Sequence, residues 1–200
     1  MERKSMNPIR LAVFASGNGT NFTALVNYAK KQLPNVEIVR LIVDHKYAFV
    51  VQRAKKLEIP STYIDYRKFK DKAAAETEII GRLKEDQVSG ILLAGFMRII
   101  GPDLLLAFPN RIINIHPALL PSFPGRHGIE DAFEYGVKVT GVTIHYVDNG
   151  VDSGEIIAQA PVRIKESDNL ESLEKRIHRL EHRLYPQTLR QLIKKGVFTV

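Results

Sequence analysis

Apolar residues fall along this chain in two kinds of run, and the two kinds alternate. Ile9 to Ala15 (IRLAVFA), the second half of Val36 to Val43, Gly90 to Ala94 (GILLA) and the Ile112, Ile113, Ile115 run are short and nearly unbroken. Runs of that length suit strands buried on both faces, as in a parallel sheet. Ser61 to Ile64 predicts a further short strand, and Glu155 to Val162 the last one. Thr140 to Tyr146 alternates, with Val142, Ile144 and Tyr146 on one face and Thr143 and His145 on the other. Between the strands, helices are predicted over Phe22 to Lys31, Tyr47 to Leu57, Asp71 to Glu85, Asp103 to Phe108 and Gly128 to Tyr135. A long helix, Leu170 to Lys195, follows, with Leu170, Leu173, Ile177, Leu180 and Leu184 as its apolar stripe. Pro186 lies inside that span and predicts a kink or break near Leu184. Strands alternating with helices predict one α/β domain, residues 1–200, with a mostly parallel sheet flanked by helices.

Composition narrows what such a domain can do. The net charge of +7 suits anionic ligands: phosphates, a polyglutamate tail or a nucleic acid. No Lys/Arg block exceeds two residues and no zinc or RNA-binding signature is present, which argues against nucleic acid. Cys is absent, so disulfides and thiol chemistry are excluded. No apolar run approaches the roughly 20 residues needed to span a bilayer. The opening MERKSMNP lacks the apolar core of a secretory signal, so a cytoplasmic protein without membrane partners is expected. Met6 is read as the start of the ordered part, with Met1 to Ser5 a frayed extension.

Polar residues interrupt the apolar pattern at three places. Within Arg111 to His127 (RIINIHPALLPSFPGRH), Asn114 and His116 are spaced i, i+2 and share one face of a strand that Pro117 ends. Open α/β sheets bind ligands at that end of their strands. An amide that can hold an oxyanion beside an imidazole that can move a proton suits acyl chemistry. The alternative is a core Asn and His satisfied by backbone. Ser16 to Asn21 (SGNGTN) joins a strand to a helix, an arrangement that presents backbone N–H groups to an anion. Phe22 stands where a dinucleotide fingerprint needs a third Gly, which favours a single phosphate. A plain tight turn capped by Thr20 or Asn21 is the other reading. Asp44, after the second strand, is a weaker candidate for a ribose contact. Gly95, Phe96, Met97 and Arg98 follow the fourth strand, where they could line an apolar pocket or form an ordinary connection. The acidic turn Asp148 to Gly154 has too few carboxylates for a calcium loop, so no metal is expected.

Taken in order, SGNGTN at Ser16 to Asn21, LAGFMRII at Leu93 to Ile100, NIHPALLPSFPG at Asn114 to Gly125 and the Asp152-Ser153-Gly154 turn resemble the phosphoribosylglycinamide formyltransferases. These are folate-dependent formyltransferases of purine synthesis. The resemblance covers nearly the whole chain. It implies the formyltransferase fold: a Rossmann-like half, about 8–100, for the nucleotide substrate and a half, about 101–200, for folate and catalysis, within one sheet.

The resemblance also implies roles. Gly19, Thr20 and Asn21 match the turn that binds the substrate phosphate, with Thr20 where Ser is common. A branched side chain at Gly19 is expected to fall where that phosphate lies. Met97, Arg98, Ile99 and Ile100 match the segment under the pterin, and Asp148 to Asp152 the loop around it. Lys72 stands where some members carry an Arg near the folate, and the two are not interchangeable at a bidentate site. Asn114 and His116 match the catalytic pair, with Asn114 also at the folate. Asp152 matches the carboxylate expected to raise the His116 pKa and hold it charged. Glu181, with neighbours back to His178, matches the ribotide contact. His127 and His145 resemble pocket residues, with a structural role as the alternative. The basic face Arg176, Arg179, Arg183 reads as solvated. The reaction implied is formyl transfer from 10-formyltetrahydrofolate to the amine of glycinamide ribonucleotide, with small-molecule substrates alone as partners. The rivals are methionyl-tRNA formyltransferase, expected to carry a further C-terminal domain, formyltetrahydrofolate hydrolase, expected to carry an N-terminal one, and a non-catalytic nucleotide-binding module.

Overall fold

A computed structural model describes residues 8–199, so the expected start at Met6 and the extension before it lie outside the described residues. The chain runs β1 (Ile9–Phe14), α1 (Thr20–Gln32), β2 (Val36–Val43), α2 (Phe49–Lys56), β3 (Ser61–Tyr63), α3 (Lys72–Glu85), β4 (Gly90–Leu93), α4 (Pro102–Ala107), β5 (Ile112–His116), α5 (Gly128–Tyr135), β6 (Val139–Tyr146), β7 (Ile156–Arg163) and α6 (Leu170–Lys194). One sheet, ordered β3-β2-β1-β4-β5-β6-β7, carries all seven strands. The first five are parallel, and β6 and β7 add as antiparallel strands. Successive strands leave β1 in opposite directions, to β2 on one side and β4 on the other. That reversal opens a crevice at the carboxyl ends of β1 and β4, where open α/β sheets bind ligands.

Apolar side chains fill both faces of the sheet. Leu11, Val13, Leu92 and Ile113 pack toward α1, α2 and α6, while Ala12, Phe14, Ile91 and Ile112 pack toward α3 and α4. This two-sided burial is the physical content of the unbroken apolar runs. Among the described residues no helix is long and apolar enough to cross a membrane.

The expected break near Leu184 does not occur: α6 continues through Pro186 to Lys194. Proline removes one helical N–H, so the carbonyl four residues earlier loses its partner. The packing of Leu180, Tyr185, Leu189 and Leu192 into the core outweighs that loss. The fully buried Tyr185 hydroxyl lies 3.0 Å from both the Leu93 and Ile113 carbonyl oxygens, clamping α6 to the ends of β4 and β5. Its single proton is shared between two acceptors. We expect Tyr185→Phe to destabilise the fold by about 1–2 kcal/mol, read as a lower urea midpoint at unchanged m-value.

Candidate active site

The crevice is a cavity of about 640 Å³ at the carboxyl ends of β1, β4 and β5. Three connections line it: Gly17 to Asn21 after β1, Gly95 to Ile100 after β4, and the end of β5 at Asn114 to Pro117. The Asp148 to Asp152 turn and the α6 residues His178 and Glu181 complete the wall.

The floor is built by register. Asn114 pairs with His145 and His116 with Thr143 across β5 and β6, which places all four on the same face. The Asn114 amide nitrogen is 3.2 Å from His145 Nε2 and 3.3 Å from Asp152 Oδ1. His145 Nδ1 lies 2.8 Å from the Tyr146 carbonyl, which can only accept. Nδ1 therefore carries a proton, while Nε2 faces both the Asn114 amide and Asp152 Oδ1, the latter at 3.5 Å. The Asp152 carboxylate, which can only accept, fixes which way the Asn114 amide points. His127 is exposed at the surface, 3.8 Å from Glu130, and does not line the cavity.

His116 is buried between two acceptors. Its Nε2 donates to the Phe123 carbonyl at 2.7 Å, and its Nδ1 lies 3.4 Å from Asp152 Oδ2. Gly128 makes room for the ring, since a Cβ there would stand 2.9 Å from Nε2. The resemblance implies a raised His116 pKa. Instead, burial outweighs the upward pull of Asp152 and of the Phe123 carbonyl, and the pKa lies below the ordinary imidazole value. The resting ring is neutral near pH 7, yet both nitrogens face groups that suit the doubly protonated form. Burial works to raise the Asp152 pKa, but contacts from His145, the Gly125 N–H and His116 prevail and hold it below the ordinary carboxylate value. Gly125 N donates to Asp152 Oδ2 at 2.8 Å, tying the Pro117–Gly125 loop to the same carboxylate.

That loop is held from beneath by a buried cluster with no sequence signal of its own. The Thr143 hydroxyl donates to the Ala118 carbonyl at 2.7 Å and accepts from Leu120 N at 3.0 Å. Gln159 adds a bond to the Leu120 carbonyl at 2.9 Å.

At the other wall, Gly19 caps α1 with φ of +80° and no side-chain cap bond, leaving first-turn N–H groups unpaired by a cap. A Cβ on Gly19 would collide with Cγ2 of Val50 on α2. The expectation for a branched residue there is therefore corrected: Gly19 is required by packing and backbone geometry. Asn21 donates to Glu181 Oε2 at 3.0 Å, and His178 Nδ1 meets the same oxygen at 2.8 Å. Bonding to Glu181 raises the His178 pKa despite partial burial.

Met97, Arg98, Ile99 and Ile100 line the cavity, with Met97 and Ile99 exposed. Exposed apolar side chains inside a crevice suit a flat apolar ligand. Asp148 closes its own turn through Gly150 N and the Ser153 hydroxyl. Arg126 lines the cavity and donates to the Met97 carbonyl at 3.2 Å. Lys72, by contrast, pairs with Glu76 at 3.6 Å and does not line the cavity.

An acyl-transfer constellation at the switch point of this sheet defines a class, and residues 9–189 match the formyl transferase family model. The chain belongs to that family. It is 48% identical over 184 residues to phosphoribosylglycinamide formyltransferase of Bacillus subtilis (strain 168), spanning 92% of this chain and 94% of that protein. The crystal structure of phosphoribosylglycinamide formyltransferase from Bacillus halodurans aligns with a TM-score of 0.91 at 50% identity, covering 96% of this chain and 100% of that one. The α/β fold described above is the fold of that structure. Trifunctional purine biosynthetic protein adenosine-3 of Drosophila melanogaster is 38% identical over 186 residues, 92% of this chain but 14% of that protein. The chain thus spans a small part of that longer relative.

Proposed function

We propose that this chain transfers the formyl group of 10-formyltetrahydrofolate to the amine of glycinamide ribonucleotide, a cytoplasmic step of purine biosynthesis. The observation that carries the reading is the convergence of Asn114, His116 and Asp152 opposite an α1 terminus open to an anion, in a chain so similar to phosphoribosylglycinamide formyltransferases. Both substrates are small molecules, and the two walls divide between them.

The ribotide phosphate lies at the first-turn N–H groups of α1, where the helix terminus favours negative charge. Asn21 and Glu181 fix the adjoining wall. The pterin lies against Met97 to Ile100 and the Asp148–Asp152 turn. As the amine attacks, the formyl oxygen gains negative charge. Asn114 donates to it by exchanging one of its two long contacts for the substrate oxygen. His116, neutral at rest with its Nε2 proton held by the Phe123 carbonyl, takes the proton that the attacking nitrogen sheds at Nδ1, beside Asp152, and passes it toward the departing folate nitrogen. Asp152 and the Phe123 carbonyl stabilise the imidazolium while the proton resides there.

Purified protein supplied with both substrates should release tetrahydrofolate and formylated ribotide in equal amounts. Absence of transfer at saturating concentrations of both would overturn the reading. Glu181→Ala should raise the ribotide KM at least about tenfold, since it removes a charged acceptor from Asn21 and His178. The folate KM should hold. Equal rises in both constants, with circular dichroism unchanged, would show that the wall is not divided as described.

A further inference from the structure

Asp44 follows β2 at the crevice end of the sheet, and its side chain is only 2% exposed. Its position after the second strand suggests a ribose contact, yet it does not line the cavity. Burying a carboxylate is costly unless its oxygens are paired, and here the protein itself supplies the partners. Arg98 Nε donates to Oδ2 at 2.9 Å, and His45 Nδ1 lies 3.0 Å from Oδ1. The Met97 N–H in turn donates to the Ser16 hydroxyl at 2.9 Å, tying the segment after β4 to the turn after β1.

These bonds meet where the two walls of the crevice join. Ser16 opens the anion-binding turn, while Met97 and Arg98 begin the segment on the opposite wall. The guanidinium of Arg98 is constrained twice: one edge by Asp44, and one face by the Tyr66 ring, 4.0 Å from its centre. Such a cation is oriented before a ligand arrives, which lowers the ordering cost of binding.

We propose that Asp44 is a positioning residue that orients Arg98, and with it seats the Met97–Ile100 segment, without touching either substrate. It rests on the assignment of that segment to folate. Asp44→Ala should raise the folate KM about tenfold, the equivalent of one hydrogen bond to a charged group. The ribotide KM and kcat should stay at wild-type values, and tetrahydrofolate titrated by calorimetry should show the same loss. Asp44→Asn should lie between, because its amide oxygen can still accept from Arg98. In an Arg98→Met background, Asp44→Ala should add little, since partners in one network are not additive.

A ribotide KM that rises alone would make Asp44 a direct ligand and overturn the proposal, as would a fall in kcat at constant folate KM. A ligand-free readout keeps the two readings apart. Urea unfolding of Asp44→Ala, Arg98→Met and the double variant should show coupling, and simple additivity there sinks the positioning role. A wild-type protein that binds no folate yet shows that coupling would sink the functional reading alone.

Discussion

Asn114→Ala should lower kcat by about 10²–10³, the usual consequence of removing one oxyanion donor, while both KM values stay near wild type. Among the described residues, the amide nitrogen has His145 and Asp152 as its polar partners, at 3.2 and 3.3 Å. Both contacts are long, so handing one N–H to the developing oxyanion gives up little. The gain arises only as charge accumulates on the formyl oxygen, which is why it falls on kcat. Truncation also removes a donor from Asp152 Oδ1. A melting curve must therefore accompany the kinetics, and the unfolding midpoint should drop by far less than the rate. A variant turning over within a few-fold of wild type would make Asn114 a core amide that merely orients its neighbours.

How much of this site was legible in the chain depends on the physics behind each residue. The i, i+2 spacing of Asn114 and His116 places them on one strand face, and the fold keeps them there because alternation is a local property. Ser16 to Asn21 was readable for the same reason. His145 was legible as an alternating position on β6 and, through the resemblance, as a pocket residue, but its contact with the Asn114 amide depends on antiparallel register with β5. Thr143 and Gln159 carry no motif and act through three-dimensional placement. The burial that reverses the expected His116 shift is a sum over neighbours from several elements, which no spacing reveals. Pro186 failed as a breaker because tertiary packing of α6 overrides local propensity. Asp44 stands out in the sequence only as a weak candidate by its position after β2, and its pairing is hidden because the Arg98 that reaches it follows a different strand.

Asp152→Asn tests the proton relay, and its sign follows from the surroundings of His116. Asparagine tolerates the left-handed backbone that Asp152 adopts, with φ of 52°, so the turn should survive the change. Its amide oxygen can still accept the Gly125 N–H. The lost property is charge. A carboxylate close to an imidazole typically raises its pKa by about 1–3 units, and each unit corresponds to ~1.36 kcal/mol of preference for the charged ring. In the wild type, burial already keeps the His116 pKa below its ordinary value, with Asp152 opposing it. Removing that opposition lowers the pKa further. With a neutral resting base, the rising acid limb of kcat against pH should therefore move to lower pH. The plateau should fall as well, because the imidazolium formed during transfer loses its counter-charge. A fall on the order of 10–10³ matches the same 1–3 units. Were a resting imidazolium the active form, the alkaline limb would move to lower pH instead, and activity would vanish first on the basic side. An NMR titration of the His116 ring in both proteins measures the shift directly. An unchanged imidazole pKa would show that Asp152 is not its electrostatic partner, and the carboxylate would then serve only to tie Gly125 and Asn114 together.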